Sequence, residues 1–129
     1  MSFRVLPESW EDSDGIRVVH LAAFPSPAEA DLVKMLHDDL DSEISLVAKD
    51  GAQVVGHVML SRMQVEGDGR SFRALGLGPV AVLPELQRRG VGSALIDEAM
   101  RLAEQRGEEI VFLLGEPDYY RRFGFSPEA

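Results

Sequence analysis

Leu77-Gly78-Pro79-Val80-Ala81-Val82-Leu83-Pro84-Glu85-Leu86-Gln87-Arg88-Arg89-Gly90-Val91-Gly92-Ser93 is the stretch on which the fold turns. Residues 77 to 83 form an apolar run that reads as a strand. From Val91 onward, Val91, Leu95, Ala99, Leu102 and Ala103 make the stripe of an amphipathic helix to about Arg106. Strand, glycine loop and helix N-terminus in that order build an anion site. The first amides of a helix lack intrahelical partners and sit at the positive end of the peptide dipoles. Glycines at 90 and 92 let a phosphate come close, so Gln87, Arg88, Arg89, Gly90, Val91, Gly92 and Ser93 are the expected phosphate-binding residues.

The spacing narrows the ligand. A dinucleotide fingerprint needs G-x-G-x-x-G and a P-loop needs G-x-x-x-x-G-K-[ST], and this loop has neither the third glycine nor the lysine. It has Gln-x-x-Gly-x-Gly preceded by Val82-Leu83-Pro84. That pattern resembles the acyl-CoA pyrophosphate loop of the GNAT superfamily of N-acetyltransferases. A second segment, Tyr119-Tyr120-Arg121-Arg122-Phe123-Gly124-Phe125, resembles that superfamily's Phe-Tyr-x-x-x-Gly-Phe motif in order and spacing. Of the superfamily's subgroups, the chain is most similar to the YhbS-like one.

The resemblance implies an α/β (α+β) fold: a mixed, mainly antiparallel twisted sheet with helices on both faces and a splayed central strand pair that receives acyl-CoA. It implies that Val80, Ala81 and Val82 flank the pantetheine arm, that the Val82 backbone N–H polarises the thioester carbonyl, and that Tyr120 is the general acid for the leaving thiolate. It also implies two further strands beyond Phe125, so the chain is expected to be a C-terminally short version of the domain.

Composition sets the outer bounds. The 129 residues suit one domain, expected to span 1–129. With no cysteine there is neither a disulfide framework nor an acyl-cysteine route to group transfer. A net charge of −9 argues against nucleic acid or an anionic membrane as the main partner. It favours a cationic amine beside a locally basic loop, although solubility alone also accounts for an acidic surface. No targeting or membrane segment is visible, so a cytoplasmic protein is expected.

Along the chain, Phe3 to Leu6 reads as a short strand, and Ile16, Val19, His20 and Ala23 recur at helical spacing with His20 placed at the helix margin. Ser26-Pro27-Ala28-Glu29 reads as a capping box opening a second helix. Residues 44–49 and 53–65 are strands joined by Asp50-Gly51, and residues 71–83 complete a meander. Gly56 signals a bulge or a close backbone approach, and Gly76, Gly78 and Pro79 signal a broken ladder. Glu109 to Leu114 is a continuous apolar run suited to a strand covered on both faces.

The expected function is transfer of an acetyl group from acetyl-CoA to a primary amine by direct attack in a ternary complex. A non-catalytic acyl-CoA-binding or interaction domain of the same fold is the alternative. The base has no strong candidate, because Leu75 to Leu83 holds no acid. His57 has a suitable ordinary pKa, and water relayed by backbone carbonyls is the competing route. No metal is expected, acetyl-CoA is the co-substrate, and the assembly is left open between monomer and homodimer.

Overall fold

The computed structural model describes residues 2–38, 42–67, 69–108 and 111–113. Strands Arg4–Pro7 (β1), Ser42–Asp50 (β2), Gln53–Gly67 (β3), Arg70–Val82 (β4) and Val111–Leu113 (β5) form one sheet in the order β1-β2-β3-β4-β5. The first four pair antiparallel, and β5 pairs parallel with β4 through Leu75, Gly76 and Leu77. Helices Ser13–Ala23 (α1), Ala28–Asp38 (α2) and Val91–Gln105 (α3) complete the described architecture. The mixed, mainly antiparallel sheet with helices on both faces is the expected class.

Two consecutive residues of β3 show how the faces are divided. Successive strand side chains point to opposite sides of a sheet. His57 meets His20 of α1, whereas a Cβ on Gly56 would lie 3.0 Å from both Leu95 and Val91 of α3 and 3.2 Å from the Ala81 carbonyl oxygen. Only glycine lets α3 settle this close to the strand. On the other face, a Cβ on Gly15 would lie 2.8 Å from Val54 Cγ2, so α1 is pressed equally hard against β3. Leu46, Met59, Leu60, Leu75, Leu77 and Leu95 are fully buried between these layers.

The turns follow their residues. Gly51 takes φ +62 between paired Asp50 and Gln53, as a two-residue hairpin requires. The expected irregularity at Gly78-Pro79 is present, with the register shifting between Val58↔Val80 and Leu60↔Leu77. A second shift, between Ala48 and Lys49, gives β3 one extra residue just before Gly56. Gly107, at φ +76, follows the last turn of α3 as expected.

Two readings need correction. The capping box foreseen at Ser26 is half-formed: Ser26 Oγ accepts from the Ala28 amide at 3.4 Å, but the Glu29 carboxylate carries a buried oxygen without a partner and does not reach back. A reciprocal box occurs instead at Ser9 and Asp12, ahead of α1. His20 is not marginal but fully buried, because α1 lies across β3 directly above His57.

Candidate active site

The loop between β4 and α3 has the form its sequence suggests. After a short 3-10 turn at Pro84–Leu86, Gly90 caps α3 at φ 86, and Arg88 also takes a left-handed conformation at φ 66. No side chain caps the helix and no acid lies in its first turn. The amides of Val91, Gly92 and Ser93 therefore open the helix without a carboxylate competing for them. A Cβ at Gly90 would meet nothing within 4 Å, and one at Gly92 would meet only Val82 Cγ2, at 3.7 Å. The side-chain positions of both glycines are thus uncrowded, and Arg88 and Arg89 stand exposed beside them. These are residues that could hold an anionic group such as a pyrophosphate.

Backbone polarity in β4 follows from the register. The Leu83 amide donates to the Val55 carbonyl at 3.0 Å, which fixes the phase of the antiparallel ladder. Bonded and non-bonded pairs alternate along such a ladder. Ala81 therefore exchanges bonds with His57, while Val80 and Val82, opposite Val58 and Gly56, turn their N–H and C=O groups away from β3. They face the side on which β5 pairs with β4 only at residues 75–77 among the described residues. The Val82 carbonyl accepts a bond from Gln87 Nε2 at 3.2 Å, so the glutamine ties the loop to the strand.

On the opposite face lies a group that the sequence did not reveal. Ser45 Oγ donates to Glu8 Oε1, His57 Nε2 lies 2.8 Å from Ser45 Oγ, and His57 Nδ1 lies 2.9 Å from His20 Nε2. His37 Nε2 meets the same Glu8 oxygen at 2.9 Å. Burial pushes the His20 pKa down to about 4; burial, with the neighbouring His20 and His37, pushes His57 well below its ordinary value. Both imidazoles are therefore neutral, with one N–H each.

Their tautomers follow from the donors available. Ser45 spends its proton on Glu8, so it must accept from His57 Nε2–H. His57 Nδ1 is then a lone pair that accepts from His20 Nε2–H, which leaves His20 Nδ1 as a buried lone pair without a donor. His57, the base candidate, has both ring nitrogens engaged, so it would act through a neighbour rather than by touching an amine. The signal for this chain lies in residues far apart in sequence: Glu8, His20, Ser45 and His57. Tyr119 and Tyr120 lie outside the described residues.

A loop of this form on a sheet of this order defines an acyl-CoA-binding α/β domain. The chain belongs to the GNAT acetyltransferase family: it matches the family described as "Acetyltransferase (GNAT) domain" over residues 7–127. It is 38% identical over 120 residues to the uncharacterised N-acetyltransferase YjhQ of Escherichia coli K12, covering 92% of this chain and 66% of that protein. It is 35% identical over 119 residues to the uncharacterised N-acetyltransferase YhbS of the same strain, covering 92% and 70%. The chain thus spans about two thirds of the length of these curated relatives.

Two solved structures share the fold closely. A GNAT family acetyltransferase from Brucella melitensis in complex with acetyl-CoA has a TM-score of 0.81 at 34% identity, covering 95% of this chain and 82% of that one. E. coli YhbS in complex with CoA has a TM-score of 0.79 at 32% identity, covering 95% and 67%.

Proposed function

We propose that this domain, spanning 1–129, transfers an acetyl group from acetyl-CoA to a primary amine by direct attack in a ternary complex. The observation that carries the reading is the left-handed, uncapped and acid-free entry to α3 beside outward-facing backbone groups at Val80 and Val82. The complexes that the Brucella protein forms with acetyl-CoA and YhbS with CoA support it.

In this reading, the amides of residues 90–93, with Arg88 and Arg89, hold the pyrophosphate. Gln87 keeps that loop in register with β4. Val80, Ala81 and Val82 pair with the pantetheine arm as a strand would, and the Val82 N–H donates to the thioester oxygen as it gains charge. The amine nitrogen attacks the carbonyl carbon and the C–S bond breaks. Tyr120 protonates the leaving thiolate, and the proton lost by the amine leaves through water or a residue near His57. The protein is cytoplasmic in this reading; among the described residues, no helix is long and apolar enough to cross a membrane.

Calorimetric titration with acetyl-CoA, beside a free-thiol turnover assay over a panel of amines, tests the proposal. Gly92→Glu, which puts bulk and negative charge into the cradle, is expected to abolish binding. Arg101→Glu, on an exposed residue of the same helix, is expected to bind like wild type. Equal affinity in wild type and Gly92→Glu would overturn the phosphate assignment. Binding without thiol release for any amine would overturn the transfer step.

A further inference from the structure

The β3–β4 hairpin runs past the strand that flanks it. Pairing of β3 with β2 ends at Ser42↔Ser61, whereas its pairing with β4 continues from Arg62↔Leu75 to Gly67↔Arg70. Among the described residues, β3 therefore has an open edge from Arg62 to Glu66.

The phase of the ladder says which backbone groups that edge offers. Gly67 and Arg70 flank a two-residue turn, which makes them a bonded pair. Alternation then gives Val65 and Met63 to β4 and turns the N–H and C=O groups of Arg62, Gln64 and Glu66 outward. The bond from the Leu83 amide to the Val55 carbonyl, near the other end of β3, sets the same phase, because the register shift between them adds its residue to β4 and not to β3. Such an edge is a template for a further strand, and residues 62–67 hold no proline or lysine to block it.

Charge then selects the strand. Arg62, Gln64 and Glu66 are exposed. When two copies of this edge meet antiparallel with Gln64 opposite Gln64, Arg62 of each copy lies opposite Glu66 of the other. All three outward residues then fall in bonded pairs, about six hydrogen bonds in all. Centring the pair on Arg62 or on Glu66 would set like charges face to face. Arg62 engages Glu43 of its own chain through Nε and Nη2, and a guanidinium has donors to spare for a second carboxylate.

We propose that the protein forms a two-fold dimer in which residues 62–66 of β3 pair antiparallel with the same residues of a second copy, Gln64 lying on the axis. The α3 loop follows the far end of β4, so the pairing leaves the phosphate-binding residues free and does not rest on the transferase reading.

Sedimentation of the whole chain over a range of concentrations is expected to show a monomer–dimer equilibrium. Hydrogen exchange adds a positional readout: the Arg62, Gln64 and Glu66 amides are expected to gain protection as concentration rises, while those of Met63 and Val65 are protected throughout. Gln64→Pro removes an outward N–H and no bond to β4, as an edge position tolerates, and is expected to abolish the dimer with the circular dichroism unchanged. Glu66→Arg, which sets arginine opposite Arg62, tests the same register without a proline and is expected to weaken dimerisation about tenfold. Asp97→Arg, on an exposed residue of α3, is the charge control and is expected to sediment like wild type.

A monomer at every concentration would overturn the proposal, as would a dimer that survives Gln64→Pro or is as tight in Glu66→Arg as in wild type. Protection of the Arg62, Gln64 and Glu66 amides that does not depend on concentration would show the edge filled from within the chain, and would overturn it equally. None of these outcomes involves acetyl-CoA, so each is distinguishable from failure of the transferase reading.

Discussion

Burying two neutral imidazoles makes stability depend on pH in a calculable window. His20 is held near pKa 4 in the folded chain against an ordinary value of 6.5. Between these values the unfolded chain binds a proton that the folded chain refuses, so unfolding is favoured as pH falls. The contribution is fully present above 6.5 and is lost progressively toward 4. Each unbalanced proton changes stability by about 1.4 kcal/mol per pH unit, so His20 alone removes about 3 kcal/mol across the window. His57, pushed down in the same direction, adds to the loss.

That is a large share of the ~5–15 kcal/mol typical of a domain, so acid unfolding is expected well before the carboxylates titrate. Asp12 falls outside the window. Burial pushes its pKa up, but the bonds from Lys49 and Ser9 outweigh that and hold it below 3.8. Its stabilisation is therefore lost only in stronger acid. Urea unfolding at half-unit steps from pH 7.5 to 4 measures the slope. His20→Gln is expected to reduce it by about one proton at the steepest point. A stability that stays flat between pH 7 and 4.5, or a slope unchanged in His20→Gln, would refute the assignment of neutral buried histidines.

Other outcomes are expected from single contacts. Gly56→Ala puts a Cβ 3.0 Å from Leu95 and Val91 and 3.2 Å from the Ala81 carbonyl; it is expected to cost about 1–3 kcal/mol by overpacking, read as a lowered urea midpoint with an unchanged m-value. Asp12→Asn removes the charge from a nearly buried pair in which Lys49 Nζ lies 2.7 Å from the carboxylate, and a loss of about 3 kcal/mol is expected at pH 7 in the same assay. Tyr120→Phe is expected to lower kcat about 100-fold with acetyl-CoA affinity intact; unchanged kcat beside a damaged Tyr120→Ala would show a packing role instead.

The loop before α3 was legible because its information is local. Glycines at 90 and 92 mark a loop open to close approach, and the apolar spacing after them announces a helix, so strand, loop and helix could be placed without knowing their neighbours. Arg88 was not legible in the same way, since no side chain marks a non-glycine residue for φ 66. His20 was misread for a related reason. Helical periodicity gives a residue's angle on its own helix, but burial depends on what lies beneath, and here that is a histidine 37 positions away. The two capping boxes show the limit from the other side: Ser26 and Glu29 have the right spacing, yet Ser9 and Asp12 make the reciprocal pair, because Lys49 on β2 fixes the Asp12 carboxylate in place.

Gly56 and His57 act as the two sides of a bulkhead. His20 of α1 meets His57 and Gly15 of α1 meets Val54, whereas Val91 and Leu95 of α3 lie over Gly56, so the two helices rest on opposite sides of β3. A mutant library confined to α1 and α2 can therefore be screened for stability with acetyl-CoA affinity serving as a constant internal reference. A library confined to residues 87–93 can be screened in the complementary way. The molecule lends itself to engineering in two independent campaigns whose best variants are expected to combine additively, since their sites share no partners.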